Sequence, residues 1–311
     1  QNILTDEDRL NWLRLIRTES VGPVTFYRLM ERFGAAEKAL EMLPELSRKG
    51  GRKKAITPFS KAAAEKELAA LARHGGKIIT VADPEYPLAL SATEDAPPVL
   101  SVLGNTDLLN SRCIGIVGAR NASHNGCRFA EQLARELGGS GFTIASGMAR
   151  GVDTAAHKGS ISTGTIAVIA GGIDVIYPQE NAGLYDQIRQ NGLIVAENAF
   201  GFHPRPQDFP RRNRIVSGIS EGVVIAEASL RSGSLITARL AAEQGREVFA
   251  VPGFPQDPRA QGPNKLIRDG ATLIQSAQDV IQSLSGFRGN TMREPVFGPY
   301  SYTPFEDESS A

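Results

Sequence analysis

The feature that most constrains this chain is a run of short apolar segments, each followed by a helical stretch, between Cys113 and Val251. Segments Cys113 to Val117, Phe142 to Ala145, Thr165 to Ala170, Leu193 to Ala196, Val223 to Ala226 and Glu247 to Val251 read as strands buried on both faces. Helical segments of about one to four turns separate them. Such repetition predicts a parallel sheet covered by helices, with any ligand held by the loops at the carboxyl ends of the strands. Ahead of it, residues 5 to 72 read as a helical module, with Leu10, Leu13 and Ile16, then Phe26, Leu29, Met30 and Phe33, at helical spacing. An Ala-rich helix from Ser60 to Arg73 closes the module, and prolines between Pro84 and Leu103 predict an extended connection.

Five loops follow predicted strands: Gly118 to Ser123, Ser146 to Gly151, Gly171-Gly172-Ile173-Asp174, Phe209 to Arg214, and Ser232 to Thr237. The first two each place glycine and arginine where a helix begins. Glycine admits close backbone approach and a helix N-terminus offers free N–H groups, so each turn is expected to receive an anion, with phosphate the natural ligand. A dinucleotide fits poorly. Gly115, Gly118 and Gly126 do not make Gly-x-Gly-x-x-Gly, and Ser146-Gly147 stands where an acid would bind a ribose diol. No Gly-Lys-Ser/Thr phosphate loop is present.

The fourth loop, Phe209-Pro210-Arg211-Arg212-Asn213-Arg214, puts proline at a helix start and three arginines in the first turn. That charge opposes the helix dipole by a few tenths to about 1 kcal/mol per exposed cation. Either an external anion compensates it, or an internal acid such as Asp208 or Glu197 does. The preceding segment, Ala199 to Phe209, interleaves aromatic and basic residues, which suits base stacking and equally suits packing beneath the loop.

Net charge is zero, but the cations change in kind along the chain. Residues 111 to 285 hold fifteen Arg and two Lys, whereas residues 1 to 110 hold eight Arg and seven Lys. Arginine reads phosphates and base edges bidentately, so the bias favours specific anion contacts. Two cysteines, Cys113 and Cys127, support neither a disulfide framework nor a metal site, and are expected to be buried thiols. His74, His124, His157 and His203 have no metal-ligand spacing. No metal or cofactor is expected. No apolar run approaches the roughly 20 residues of a membrane span, and residues 1 to 25 lack a signal-peptide core, so a cytoplasmic location without membrane contact is expected.

Asp153 and His157 lie on one helical face and read either as an acid–base pair or as a capping and packing arrangement. Ser232 and Ser234 lack a nucleophile elbow and suit N-capping or a phosphate contact. Ser20-Val21-Gly22-Pro23-Val24-Thr25 is a tight helix connection of the kind whose amides meet phosphate in helix-hairpin-helix modules, and also a plain structural turn. Arg48 to Lys54 forms a basic loop, either nucleic-acid-facing or simply solvated.

Six ordered motifs carry a resemblance over about residues 8 to 285. They are Gly118-Ala119-Arg120 with Ser123, the run from Ser146 to Asp153 with His157, Tyr177-Pro178 with Asn181, Phe209 to Arg214, Glu227-Ala228 with Ser232 to Ala238, and Gly245 to Gly253. With these the chain resembles the DprA family, also called Smf. The resemblance implies an α/β fold: an extended Rossmann-like parallel sheet domain over 84–285, preceded by a small all-helical SAM-like or helix-hairpin-helix domain over 1–83. Residues 286–311 are expected to be a flexible tail or linker, without the winged-helix domain of many relatives.

The function implied is non-catalytic binding of single-stranded DNA, protecting incoming DNA in natural transformation and loading the recombinase RecA, by a homodimer. Self-association and RecA contacts are expected on the late part of the sheet domain. The DNA-binding residues implied are Gly118, Arg120, Ser123, Ser146, Gly147, Met148, Ala149, Arg150, Gly171, Gly172, Phe209, Arg211, Arg212, Asn213, Arg214, Ser232, Gly233, Ser234 and Leu235. Two departures stand out: Ala119 replaces the family's usual serine, and Gln179 is neutral where many relatives carry a base. The competing readings are a nucleotide phosphoribohydrolase and a mononucleotide sensor. The hydrolase would need a glutamate shortly after its glycine turn, and Ser232 to Leu240 has none.

Overall fold

The computed structural model describes residues 4–49 and 55–289. Four helices come first: α1 (Asp6–Arg17), α2 (Pro23–Phe33), α3 (Ala36–Lys49) and α4 (Lys61–Arg73). Helix α1 starts where the sequence supplies a capping box, with the Thr5 hydroxyl taking the Asp8 amide and the Asp8 carboxylate taking the Thr5 amide, and it ends on Arg14 and Arg17. Pro23 opens α2, and Gly34, in the left-handed conformation, closes it. Leu15, Val21, Phe26, Leu29, Leu40 and Leu43 form the module's own core. Of the basic loop, Gly50 to Lys54 lie outside the described residues, as does the tail from Asn290 onward.

Then come β1 (Lys77–Thr80), α5 (Leu88–Ser91), β2 (Val99–Gly104), β3 (Cys113–Val117), α6 (His124–Gly139), β4 (Thr143–Ser146), α7 (Val152–Ser160), β5 (Thr165–Ile169), α8 (Ala182–Asn191) and β6 (Leu193–Ala196). The chain continues through α9 (Asp208–Gly218), β7 (Gly222–Ile225), α10 (Gly233–Glu243), β8 (Glu247–Ala250), α11 (Gln261–Arg268), β9 (Thr272–Leu273) and α12 (Ala277–Gly289). One nine-stranded sheet results, ordered β1-β2-β6-β5-β4-β3-β7-β8-β9. From β6 to β9 all pairs are parallel, while β2 runs antiparallel to both β1 and β6. The Rossmann-like architecture expected from the motifs is therefore present.

The stretch from Pro84 to Leu103, expected to be a connection, contains a short helix and a full strand. Pro97 and Pro98 precede β2 instead of interrupting it, so its ladder loses no donor. The sheet also takes in β1, ahead of residue 84.

Alternation along β3 shows how both faces are covered. Ile114 and Ile116 point into a cluster with Leu133, Leu137, Ala155 and Val280 from α6, α7 and α12. Cys113 and Val117 enter the opposite cluster with Ile215, Ala238 and Ala241 from α9 and α10. Fully burying each such large aliphatic chain contributes about 1.5–3 kcal/mol. Helices fixed on both faces this way carry their N-termini to the strands' carboxyl ends.

The helical module sits against the antiparallel edge. Leu10, Leu13 and Ala64 share a core with Val99 of β2, and Ile78 of β1 packs on it. Arg17 donates to the Glu197 carbonyl at 2.9 Å, Tyr27 donates to the Ala96 carbonyl at 3.0 Å, and Arg9 pairs with Asp83.

Candidate nucleic-acid interface

A cavity of about 600 Å³ opens at the carboxyl ends of the central strands. Val117, Gly118 and Asp153 line it together with Arg212 and Asn213 of α9, Ser232 at the start of α10, and Ser234 and Thr237 within it. Arg120, Phe209 and Arg259 also border it. A second cavity of about 210 Å³ shares Arg120, Asn121, Ala149 and Phe209, and adds Gly147, Arg150, Tyr177 and Pro178. Between the two, the Arg120 guanidinium lies 5.0 Å from the centre of the Phe209 ring. Tyr177, half exposed, sits 5.3 Å from the same ring at a tilt of 54°. Arg120 makes no salt bridge with any described residue; its guanidinium stands over an aromatic face and its charge acts on buried Asp153.

Both glycine turns already hold an internal carboxylate. At the first, Ser123 donates its amide and hydroxyl to the Glu227 carboxylate, at 2.8 and 2.6 Å, while its hydroxyl accepts from the Gly126 amide at 2.9 Å. At the second, Asp153 accepts from the Gly147 and Ala149 amides at 3.1 and 3.3 Å. The Ser123, Gly147 and Ala149 amides, in turns expected to receive an external anion, are thus bonded to internal carboxylates. Gly151, at φ 71°, joins the two turns: a Cβ there would collide with the Ala119 and Arg120 carbonyls. Only glycine permits both the dihedral and the approach.

The three arginines of α9 divide. Arg211 points outward, 51% exposed, with Glu197 at 3.7 Å. Arg212 is buried and donates to the Gly147 and Val168 carbonyls. Arg214 is buried as well, paired with Glu197 at 2.6 Å and Asp95 at 3.0 Å. The expectation that all three meet an external anion is corrected for Arg214, whose charge is compensated internally; Glu197, one of the two acids anticipated, does this. Burial lowers the Arg212 pKa to about 10, with Asp153 opposing the shift, so it remains a cation at neutral pH. Arg150 reaches Glu180 at 2.5 Å on the surface, so the segment after Tyr177-Pro178 supplies an acid.

Other expected contacts are rearranged too. The Ser146 hydroxyl is buried and donates to the Ile116 carbonyl. Gly171 and Gly172 are buried against the 199–204 loop, and the Gly172 amide donates to the Phe202 carbonyl at 2.8 Å. Neither lines a cavity with Arg120. Their role is close backbone packing: a Cβ on Gly172 would strike the Ala199 carbonyl. Met148 is buried among Ile173, Leu184 and Tyr185. At α10, Ser232 caps the helix by accepting the Ser234 amide at 3.4 Å, Gly233 and Ser234 line the larger cavity, and Leu235 packs on the core. Thr237, absent from the expected set, lines the same cavity with a buried hydroxyl that has no partner among the described residues. Its position one turn beyond Ser234 on a helix opening at the cavity was the available signal.

Of the 199–209 aromatics, Phe200 packs on His74 and only Phe209 reaches the cavities. Cys113 is buried, with its thiol raised to about 12 by burial, whereas Cys127 is only half-buried; both are free. Among the described residues no cluster could hold a metal ion, and no helix is long and apolar enough to cross a membrane.

Asp153 and His157 follow the capping and packing reading. Asp153 is committed to loop amides, and burial raises its pKa against the charge of Arg212. His157 is fully buried, with Nδ1 2.7 Å from the Thr165 hydroxyl. Burial, followed by the Arg212 charge, lowers its pKa from 6.5 to about 3. The unfolded chain therefore binds this proton before the folded protein does. The resulting stability is fully present above about pH 6.5 and is lost as pH falls toward 3. We expect His157 to account for about 1.4 kcal/mol of lost stability per pH unit in that window. Denaturant titrations of wild type and His157→Gln across it should diverge accordingly, since the Asp153 contribution is common to both. Parallel pH profiles would refute the assignment.

Fold and site together define a Rossmann-like α/β protein with an arginine-bordered, aromatic-flanked crevice at its strand ends and a helical module on one sheet edge. The family model for DNA recombination-mediator protein A matches residues 77–285, and that for the DprA-like N-terminal HHH domain matches residues 6–70. The chain belongs to the DprA family, also called Smf, as its six motifs implied. It is 44% identical over 220 residues to the DNA processing protein DprA of Bacillus subtilis, covering 70% of this chain and 74% of that one. The solved DprA of Streptococcus pneumoniae aligns with a TM-score of 0.74 at 33% identity, over 90% of this chain and 98% of that one. That of Helicobacter pylori, whose structure describes a single-stranded DNA binding mode, aligns with a TM-score of 0.62 at 33% identity over 68% and 96%.

Proposed function

We propose that this protein binds single-stranded DNA in the crevice without chemical turnover, protects incoming strands, and delivers them to RecA as a cytoplasmic homodimer in transformation and recombination. The observation that carries the reading is Arg120, a cation with no salt bridge to any described residue, stacked on Phe209 where two cavities meet. Phosphates satisfy such a cation, and bases stack on the neighbouring rings. The Helicobacter pylori relative, described for its single-stranded DNA binding, supports the choice of ligand. A non-catalytic role fits the commitments of Asp153 and the neutral, buried ring of His157, which do not act as an acid–base pair at the cavity.

The deciding measurement is a salt titration of binding to single- and double-stranded oligonucleotides. The single strand should bind more tightly, with log affinity falling by about 0.7 per phosphate contact for each decade of salt. Preference for the duplex, or release of free base from a nucleoside monophosphate, would contradict the proposal.

A further inference from the structure

Asn181 belongs to the Tyr177-Pro178 motif but borders neither cavity. It is 6% exposed, and its Nδ2 donates to the Met148 carbonyl at 2.9 Å and to the Thr154 hydroxyl at 3.0 Å. The Thr154 hydroxyl donates in turn to the Ala149 carbonyl at 2.7 Å. Met148 is one of two non-glycine residues with positive φ among the described residues, at 62°. A side chain rarely adopts that conformation unless its surroundings impose it.

Here four side chains hold the turn. The Gly147 and Ala149 amides go to Asp153, the Gly147 carbonyl to Arg212, the Ala149 carbonyl to Thr154, and the Met148 carbonyl to Asn181. Asn181 is the partner contributed from outside the turn, α7 and α9. We infer that Asn181 is a positioning residue: by holding Met148 left-handed, it fixes the Gly147 to Arg150 turn against Arg212 and the crevice. The inference rests on reading the crevice as the DNA site.

The test is Asn181→Ala alone and combined with Met148→Gly, compared with wild type and Arg120→Ala. Losing the donor orphans a buried carbonyl, and Asn181→Ala should weaken oligonucleotide binding by about tenfold. Glycine adopts the required φ unaided but surrenders the buried Met148 side chain. The double variant should therefore bind more tightly than Asn181→Ala while being less stable to denaturant. A merely structural Asn181 would make affinity follow stability downward, and that result, or wild-type affinity in Asn181→Ala, overturns the inference. If Arg120→Ala binds as wild type does, the reading of the crevice as the DNA site has failed. Hydrogen exchange then judges the positioning role: Gly147 and Ala149 amides should lose protection in Asn181→Ala and regain it in the double variant, and unchanged protection overturns it.

Discussion

Replacing Arg120 and Arg211 together by alanine should weaken single-stranded oligonucleotide binding by about 100-fold or more at low salt, taking at least about 1.5 kcal/mol for each charge-assisted contact. The slope of log affinity against log salt should become shallower by about 1.4, twice the increment for one phosphate on a single strand. Both residues suit the experiment because neither supports the fold. Arg211 is half exposed beside an acid 3.7 Å away, and Arg120 has no ion-pair partner among the described residues. Stability should stay within about 0.5 kcal/mol of wild type. A folded double variant with the wild-type salt slope would remove these two side chains from the phosphate path.

Arg212→Met should behave in the opposite way, with stability as the quantity that collapses. Its guanidinium bonds the Gly147 and Val168 carbonyls and offsets the buried charge of Asp153. Breaking a buried charge arrangement from one side costs about 3–5 kcal/mol, because the remaining charge stays unpaired. Chemical denaturation measures the loss, and adding Asp153→Asn should recover part of it by removing that charge. A change below about 1 kcal/mol would mean that Arg212 is not the counter-charge described here.

Cys113 to Val117 and its five successors were readable as strands because parallel strands covered on both faces are nearly uniform apolar runs. Strand β2 was not, since Pro97 and Pro98 look like interruptions until the strand is known to start after them. The crevice was legible as a set of turns, but the direction of each charge was not. Arg211, Arg212 and Arg214 are indistinguishable as letters, and α9 is buried on so much of its circumference that periodicity could not sort them. Glu227 lies 104 positions from Ser123, so its place at that turn depends on β7 pairing with β3. Helix-end rules identified where anions belong; only tertiary structure showed that two of them were the protein's own carboxylates.

The shared packing at the antiparallel edge gives the two modules a common frontier instead of a severable joint. Val99 completes a cluster built by Leu10, Leu13 and Ala64, while Glu197 accepts Arg17 through its carbonyl and Arg214 through its carboxylate. A chimaera that grafts a relative's helices onto this sheet must therefore import the residues facing β2 and the end of β6 as well. The unit of exchange is the helices together with the surface they rest on, and a cut placed between α4 and β1 divides a single packing problem between two parents.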